Sequence, residues 1–280
     1  MAIPILKFWR SYFQENPDEG LGSSYERVVL NQKIESICNR YNVKKVLEAP
    51  SFGFTGMSGI NSLNLALRGK QVCIADHDPE RLRFIRQVWQ EVGQSFRAVY
   101  LKSYNELPFS DRAFDLSWNF SALWFVDNLE NFLAELCRVT SRAIVLCVPN
   151  RAGAGYLSQK YLGRKDLKLY LKEAHIIPAN FKKLMNQYGW RLVEQDFIDA
   201  PPWPDIGMHK EKFLKLFRLH WLLPKNGESK PPLTIMEYYR GNDPDFPQKM
   251  MQHFWFEKHA PWIVKRFWAH HRYFLFERSD

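Results

Sequence analysis

The chain has 280 residues, enough for one or two domains with a substantial core. Its 46% hydrophobic and 25% charged content is that of an ordinary globular protein and excludes a disordered, collagen-like or coiled-coil chain. Net charge is +9, and charged residues interrupt every apolar stretch before the roughly 18–20 residues that a membrane-crossing helix needs.

The charge is uneven. Residues 1–150 hold 17 Lys and Arg against 16 Asp and Glu, a net of +1, whereas residues 151–280 hold 22 against 14, a net of +8. The start of the chain mixes Ile3, Ile5, Leu6, Phe8 and Trp9 with Lys7 and Arg10, without the basic, apolar, small-residue order of a secretory signal. A cytoplasmic protein is therefore expected, with Cys38, Cys73, Cys137 and Cys147 as reduced core thiols, since none forms a CxxC pair.

Val28, Val29, Ile34 and Ile37 recur at helical spacing within residues 23–42, with Ser23 or Ser24 as N-cap. Val43 to Ala49 then reads as a strand running into a loop, Pro50 to Gly59, and a helix from about Ile60 to Leu67. A second strand, Gln71 to Ala75, ends at Asp76, and Pro79 opens a helix with Leu82, Ile85 and Val88 on one face. Val99 to Leu101 and Phe114 to Trp118 are short strands, Leu129 to Val139 an amphipathic helix, and Ala143 to Val148 a fifth strand. Beyond Asn150 the alternation fades, leaving a helix over 178–190, a strand over Arg191 to Ile198 and a last strand over Arg272 to Glu277. Strand-helix alternation with near-continuous apolar strands predicts an α/β fold, a doubly wound seven-stranded mixed sheet. The expected organisation is an N-terminal helical cap (1–42), a cofactor-binding core (43–200), an aromatic and basic helical insertion or lid (201–270) and a closing core strand (271–280).

Ligands of such sheets bind beyond the carboxyl ends of the strands, so the loop SFGFTGMSG draws attention first. Gly53 and Gly56 allow close backbone approach, and Asp76, twenty residues past Gly56, stands where a carboxylate can take two ribose hydroxyls. Ser51 replaces the first glycine of the dinucleotide fingerprint, which counts against a nicotinamide- or flavin-dependent oxidoreductase.

The segments VLEAPSFGFTG, CIADHDPERL and NELPFSDRAFDLSWNFSALWFVDNLENFLAELCRV, in that order, resemble the class I S-adenosylmethionine-dependent methyltransferases, in particular small-molecule enzymes related to those of quinone biosynthesis. The resemblance spans about residues 43–150 and implies S-adenosylmethionine as cofactor. By position, it implies that Glu48 orients the methionine amino group, Gly53 and Gly56 wrap methionine and ribose, Asp76 holds the ribose and His77 lies beside the adenine. Asn119 and Phe120 fall where the cofactor's methionine end is met, and Ser103 and Tyr104 where an aspartate often binds the adenine amino group. Pro50 stands at the family's usual first glycine. A protein of this fold that binds without turnover is the alternative reading.

The acceptor is expected outside this core, where Tyr25, Trp124, His175, Trp203 and His209 are the candidate contacts. Tryptophan and tyrosine in the lid point to an aromatic or apolar small molecule. Either histidine could take an acceptor proton, although alignment with the reactive sulfonium needs no fixed triad. His253, His259, His270 and His271 lack ligand spacing with cysteine or carboxylate, so no metal is expected. The mixed aromatic and basic stretch 253–274 separates its charges too poorly to single out a membrane or nucleic-acid surface.

Overall fold

The computed structural model describes residues 19–51, 59–162, 172–203 and 233–279. Helix α1 (Gly20–Arg40) precedes the sheet. Glu19, not Ser23 or Ser24, precedes its first turn. Tertiary contacts set this start: Glu19 N donates to Leu233 O at 3.0 Å, and the Glu19 carboxylate accepts from Thr234 Oγ1 and Ile235 N at 3.1 and 3.0 Å. Ser24 is buried inside the helix.

Strand β1 (Lys45–Glu48) is followed by the short helix α2 (Leu63–Leu67), then by β2 (Gln71–Asp76) and α3 (Pro79–Glu91). Asp78 caps α3, accepting from Glu80 N at 2.9 Å and Arg81 N at 3.2 Å, and Pro79 occupies the first turn where no N–H is missed. β3 (Arg97–Tyr100), β4 (Phe114–Phe120), α4 (Leu129–Val139) and β5 (Thr140–Pro149) complete the repeating part. α5 (Ala154–Leu162), α6 (Pro178–Gln187) and β6 (Trp190–Ile198) follow. Four short helices, α7 (Ile235–Tyr239), α8 (Phe246–Met251), α9 (Phe254–His259) and α10 (Trp262–Trp268), lead to β7 (His271–Arg278). Helix α5 and the 3-10 turns at 123–125 and 173–176 were not legible in the apolar pattern.

The strands form one seven-stranded sheet in the order β3-β2-β1-β4-β5-β7-β6. β1 to β5 run parallel and β7 runs antiparallel to both neighbours, so the expected mixed, doubly wound sheet is present. Val46, Ile74, Leu116, Trp118 and Val145 pack on one face against α1, α2 and α3. Leu47, Cys73, Ala75, Ile144 and Leu146 pack on the other against α4 and α6. This two-sided cover explains why the central strands read as continuous apolar runs. All four cysteines are buried free thiols.

The LPFSD segment turns out to be architecture. Arg138 in the last turn of α4 donates to Leu107 O at 2.9 Å, Phe109 O at 2.8 Å and Asp111 Oδ1 at 2.8 Å. Glu135 completes the clamp, accepting from Arg138 Nε at 2.7 Å and from Leu107 N at 2.8 Å. Arg138→Ala is expected to cost about 2 kcal/mol, discounted for the side chain's partial exposure, in urea unfolding. An unchanged midpoint would show that the loop is held by its apolar residues alone.

Candidate active site

Parallel register brings the candidate residues to one edge of the sheet. Glu48, last in β1, pairs with Ile74 of β2 and Trp118 of β4. Asp76 therefore lies two positions beyond it on one side, and Asn119 and Phe120 one and two positions beyond it on the other. Pleat alternation puts Glu48, Asp76 and Phe120 on the α1 face and Asn119 on the opposite face.

Glu48 is fully enclosed. Burial pushes its carboxyl up to about 7, partly countered by the hydrogen bond from Ser62 and by the charge of Arg27, while Asp76 pushes it up further. Ser62 Oγ donates to Glu48 Oε2 and accepts from Trp118 Nε1 at 3.1 Å, so an indole fixes the hydroxyl that fixes the acid. Arg27 reaches this region from α1, where its guanidinium donates to Asn61 Oδ1 and its Nε lies 3.8 Å from Glu19.

Asp76 is also buried, and both its oxygens are engaged. Oδ2 accepts from Ser51 Oγ, Oδ1 accepts from Asp78 N at 2.8 Å, and Arg81 Nη2 stands 3.5 Å from Oδ1. The acid at the end of β2 is thus part of a closed network, where the sequence pattern suggests an open pair of acceptors. His77 Nδ1 and Tyr104 Oη lie 3.1 Å apart, and burial pushes the Tyr104 phenol up so that it stays protonated. Ser103 Oγ accepts from Asn105 N at 3.1 Å, which makes it a turn-forming residue.

Asn119 differs from these. It is buried at the end of β4, and among the described residues neither its amide nitrogen nor its amide oxygen has a hydrogen-bond partner. Ser121 Oγ, two residues on, is in the same condition, on a left-handed backbone at φ 51°. Buried polar atoms are rarely left so, and a ligand carrying both donors and acceptors would satisfy them. Together with an acid at the end of β1, this donor set fits the amino-acid end of S-adenosylmethionine.

The acceptor candidates fall into two groups. Tyr25 and Trp203 meet edge to face at 5.7 Å between ring centroids, and His253 meets Trp203 edge to face at 4.9 Å. Trp124 packs on Tyr156 at 6.0 Å, and His175 Nδ1 donates to Leu123 O at 3.2 Å beside it. Burial lowers the His175 pKa, and its bonded Nδ1 leaves Nε2 as the basic nitrogen of the neutral ring. Gly53, Gly56 and His209 lie outside the described residues.

Sequence reasoning missed a second polar cluster at the same edge, where Pro149 of β5 and Ile198 of β6 flank His271 of β7. Tyr25 Oη donates to Glu257 Oε2 at 2.8 Å, and burial raises the Glu257 carboxyl to about 7. His270 Nδ1 donates to Asp199 Oδ2 at 2.7 Å, and the His271 ring packs on Phe120 at 4.5 Å. Burial alone would raise Asp199, but the two histidines hold its carboxyl below the usual range. Residues 26, 199, 257 and 270–271 are too scattered for a spacing rule to unite them.

Residues 54–147 match the family model of a methyltransferase domain. No curated protein sequence matches the chain significantly. Among solved structures, the fold is similar to that of a Galdieria sulphuraria protein provisionally assigned as a sarcosine dimethylglycine methyltransferase, at 15% identity and TM-score 0.51, over 89% of this chain and 85% of that one. It is also similar to a provisionally assigned methyltransferase from Bacillus halodurans, at 15% identity and TM-score 0.50, over 89% and 98% of the two chains. Residues 54–147 thus match a methyltransferase-domain model, and the seven-stranded sheet that contains them has the fold of these methyltransferase structures.

Proposed function

We propose that this protein transfers the methyl group of S-adenosylmethionine to a small organic acceptor of aromatic or apolar character. The observation that carries the reading is a buried Glu48 ending β1 and, one position further along the neighbouring strand β4, an Asn119 whose amide has no partner among the described residues, at the end of the sheet where the cofactor's methionine end is expected. In this reading Glu48 receives the α-ammonium group, the Asn119 amide and Ser121 hydroxyl take the remaining polar groups, and Asp76 with His77 and Tyr104 faces ribose and adenine. Gly53 and Gly56 supply the covering loop. The sulfonium supplies the reactive methyl group, so the protein's work is to bind, align and exclude water.

Tyr25 and Trp203 support an apolar or aromatic acceptor on the α1 side, with Trp124, His175 and His209 as further contacts. His175, neutral and with Nε2 as its basic atom, is suited to take an acceptor proton. Four buried free thiols support the cytoplasmic setting.

Calorimetric titration with S-adenosylmethionine and S-adenosylhomocysteine tests the reading, and failure to bind either would end it. Because Glu48 titrates near 7, affinity is expected to rise up to about tenfold per pH unit below that point and level off above it. Binding should release a proton at pH 6 and none at pH 8, measured in buffers of different ionisation enthalpy. Affinity independent of pH would remove Glu48 from the ammonium's partners.

A further inference from the structure

The second polar cluster contains an imidazole and two carboxylates that the methyl-transfer reading leaves unused. His271 Nδ1 lies 3.6 Å from Asp199 Oδ2 and 3.7 Å from Glu26 Oε2, and one ligand atom from each of the three residues falls within 4.8 Å of the other two. These separations are too long for hydrogen bonds. Donors about 2.1 Å from a shared ion stand about 3 Å apart at a right angle and about 4 Å apart when opposed, so the spacing suits a common metal ion. All three residues are buried, and among the described residues His271 Nδ1 and Asp199 Oδ1 have no hydrogen-bond partner.

We propose that Glu26 Oε2, Asp199 Oδ2 and His271 Nδ1 form a binding site for a divalent first-row metal ion. Two carboxylates offset the ion's charge, and one imidazole with two oxygens suits Mn2+, Fe2+ or Zn2+ better than Ca2+ or Mg2+. The surroundings are those of a held ligand set. His270 Nδ1 donates to Asp199 Oδ2 at 2.7 Å and orients the carboxylate, and Phe120 packs on the His271 ring at 4.5 Å. Asp199 adopts a left-handed backbone at φ 64°, which turns the chain between β6 and the loop that follows it. The three ligands come from α1, the end of β6 and the start of β7, so the ion would tie the helical cap to the antiparallel strands. Phe120 ends β4 beside Asn119, so the ion would lie close to the site assigned to the methyl donor. An acceptor oxygen or water would be a natural fourth ligand.

The binding claim stands apart from the methyl-transfer reading, and its test needs neither S-adenosylmethionine nor an acceptor. Untagged, EDTA-stripped full-length protein is titrated with MnCl2, followed by the free-ion electron paramagnetic resonance signal, and with ZnCl2 by calorimetry. One ion per chain is expected, with at least tenfold weaker binding in Glu26→Gln and Asp199→Asn and unchanged binding in Asp196→Asn, an acid on the same strand outside the cluster. Should a variant fold poorly, pulsed electron paramagnetic resonance on the Mn2+-loaded wild type should show modulation from a single imidazole nitrogen. Uptake of neither ion, variants that bind as well as wild type, or an echo without nitrogen modulation would each overturn the proposal.

Discussion

Replacing Glu48 by Gln is expected to stabilise the unliganded protein above pH 7 by up to about 3 kcal/mol and, at the same time, to weaken S-adenosylmethionine binding by roughly 10- to 100-fold. The two effects have one cause. Burial holds the carboxyl at about 7 against an ordinary value of 4.5, so the native state binds a proton that the unfolded state has lost across that window. The stability this protonation contributes is fully present below about pH 4.5 and is lost as pH rises through 7. Gln keeps the shape and can still accept from Ser62 but carries no charge to desolvate, so the variant escapes that loss. It also cannot offer a charge-assisted hydrogen bond to an ammonium group. Urea unfolding of both proteins at pH 5 and pH 8 measures the first effect: the gap between them should widen at pH 8. Equal gaps at both pH values would mean that Glu48 is ionised throughout, and the site would then lack its pH-dependent acid.

Asp76→Ala is expected to damage the fold at least as much as the binding. Its oxygens hold Ser51, the Asp78 amide and the Arg81 guanidinium, and the Arg81 side chain is itself only 4% exposed. Removing one member of a buried charged pair costs about 3 kcal/mol, here with Asp78 remaining 3.5 Å from Arg81 as partial compensation. The lost contacts to ribose add roughly 1–3 kcal/mol in cofactor affinity. Urea midpoints and calorimetry on the same variant separate the two losses. A midpoint equal to wild type would show that the network around Asp76 is dispensable, and unchanged affinity would place the ribose elsewhere. Asp76→Asn should recover much of the stability, since the amide oxygen can still accept from the Asp78 N–H.

Among the candidate site residues, the strand-end placement of Glu48, Asp76 and Asn119 was legible because the apolar pattern locates those ends, and such ends are where a parallel sheet commonly presents its ligands. Ser51, Ser62, Arg27 and Arg81 were not. Each acts through a side chain that folds back onto one of those acids, and nothing in a run such as NSLNLA distinguishes a serine that fixes a carboxylate from one that faces water. The LPFSDRAFD segment is held by the Arg138 clamp, which no local pattern announces.

The sequence by itself determined the seven strands, the helices between the parallel ones and the two-sided cover of the sheet, because these follow from local apolar periodicity and from turn residues. Tertiary structure decided the start of α1, through Glu19 and residues 233–235, and the ionisation of Glu48, through burial that Ser62 and Arg27 only partly counter. It alone assembled Glu26, Asp199 and His271, which are 173 and 72 positions apart along the chain. Periodicity propagates over a few residues, whereas proximity between a cap helix and two antiparallel strands is settled only when the sheet has closed around its core.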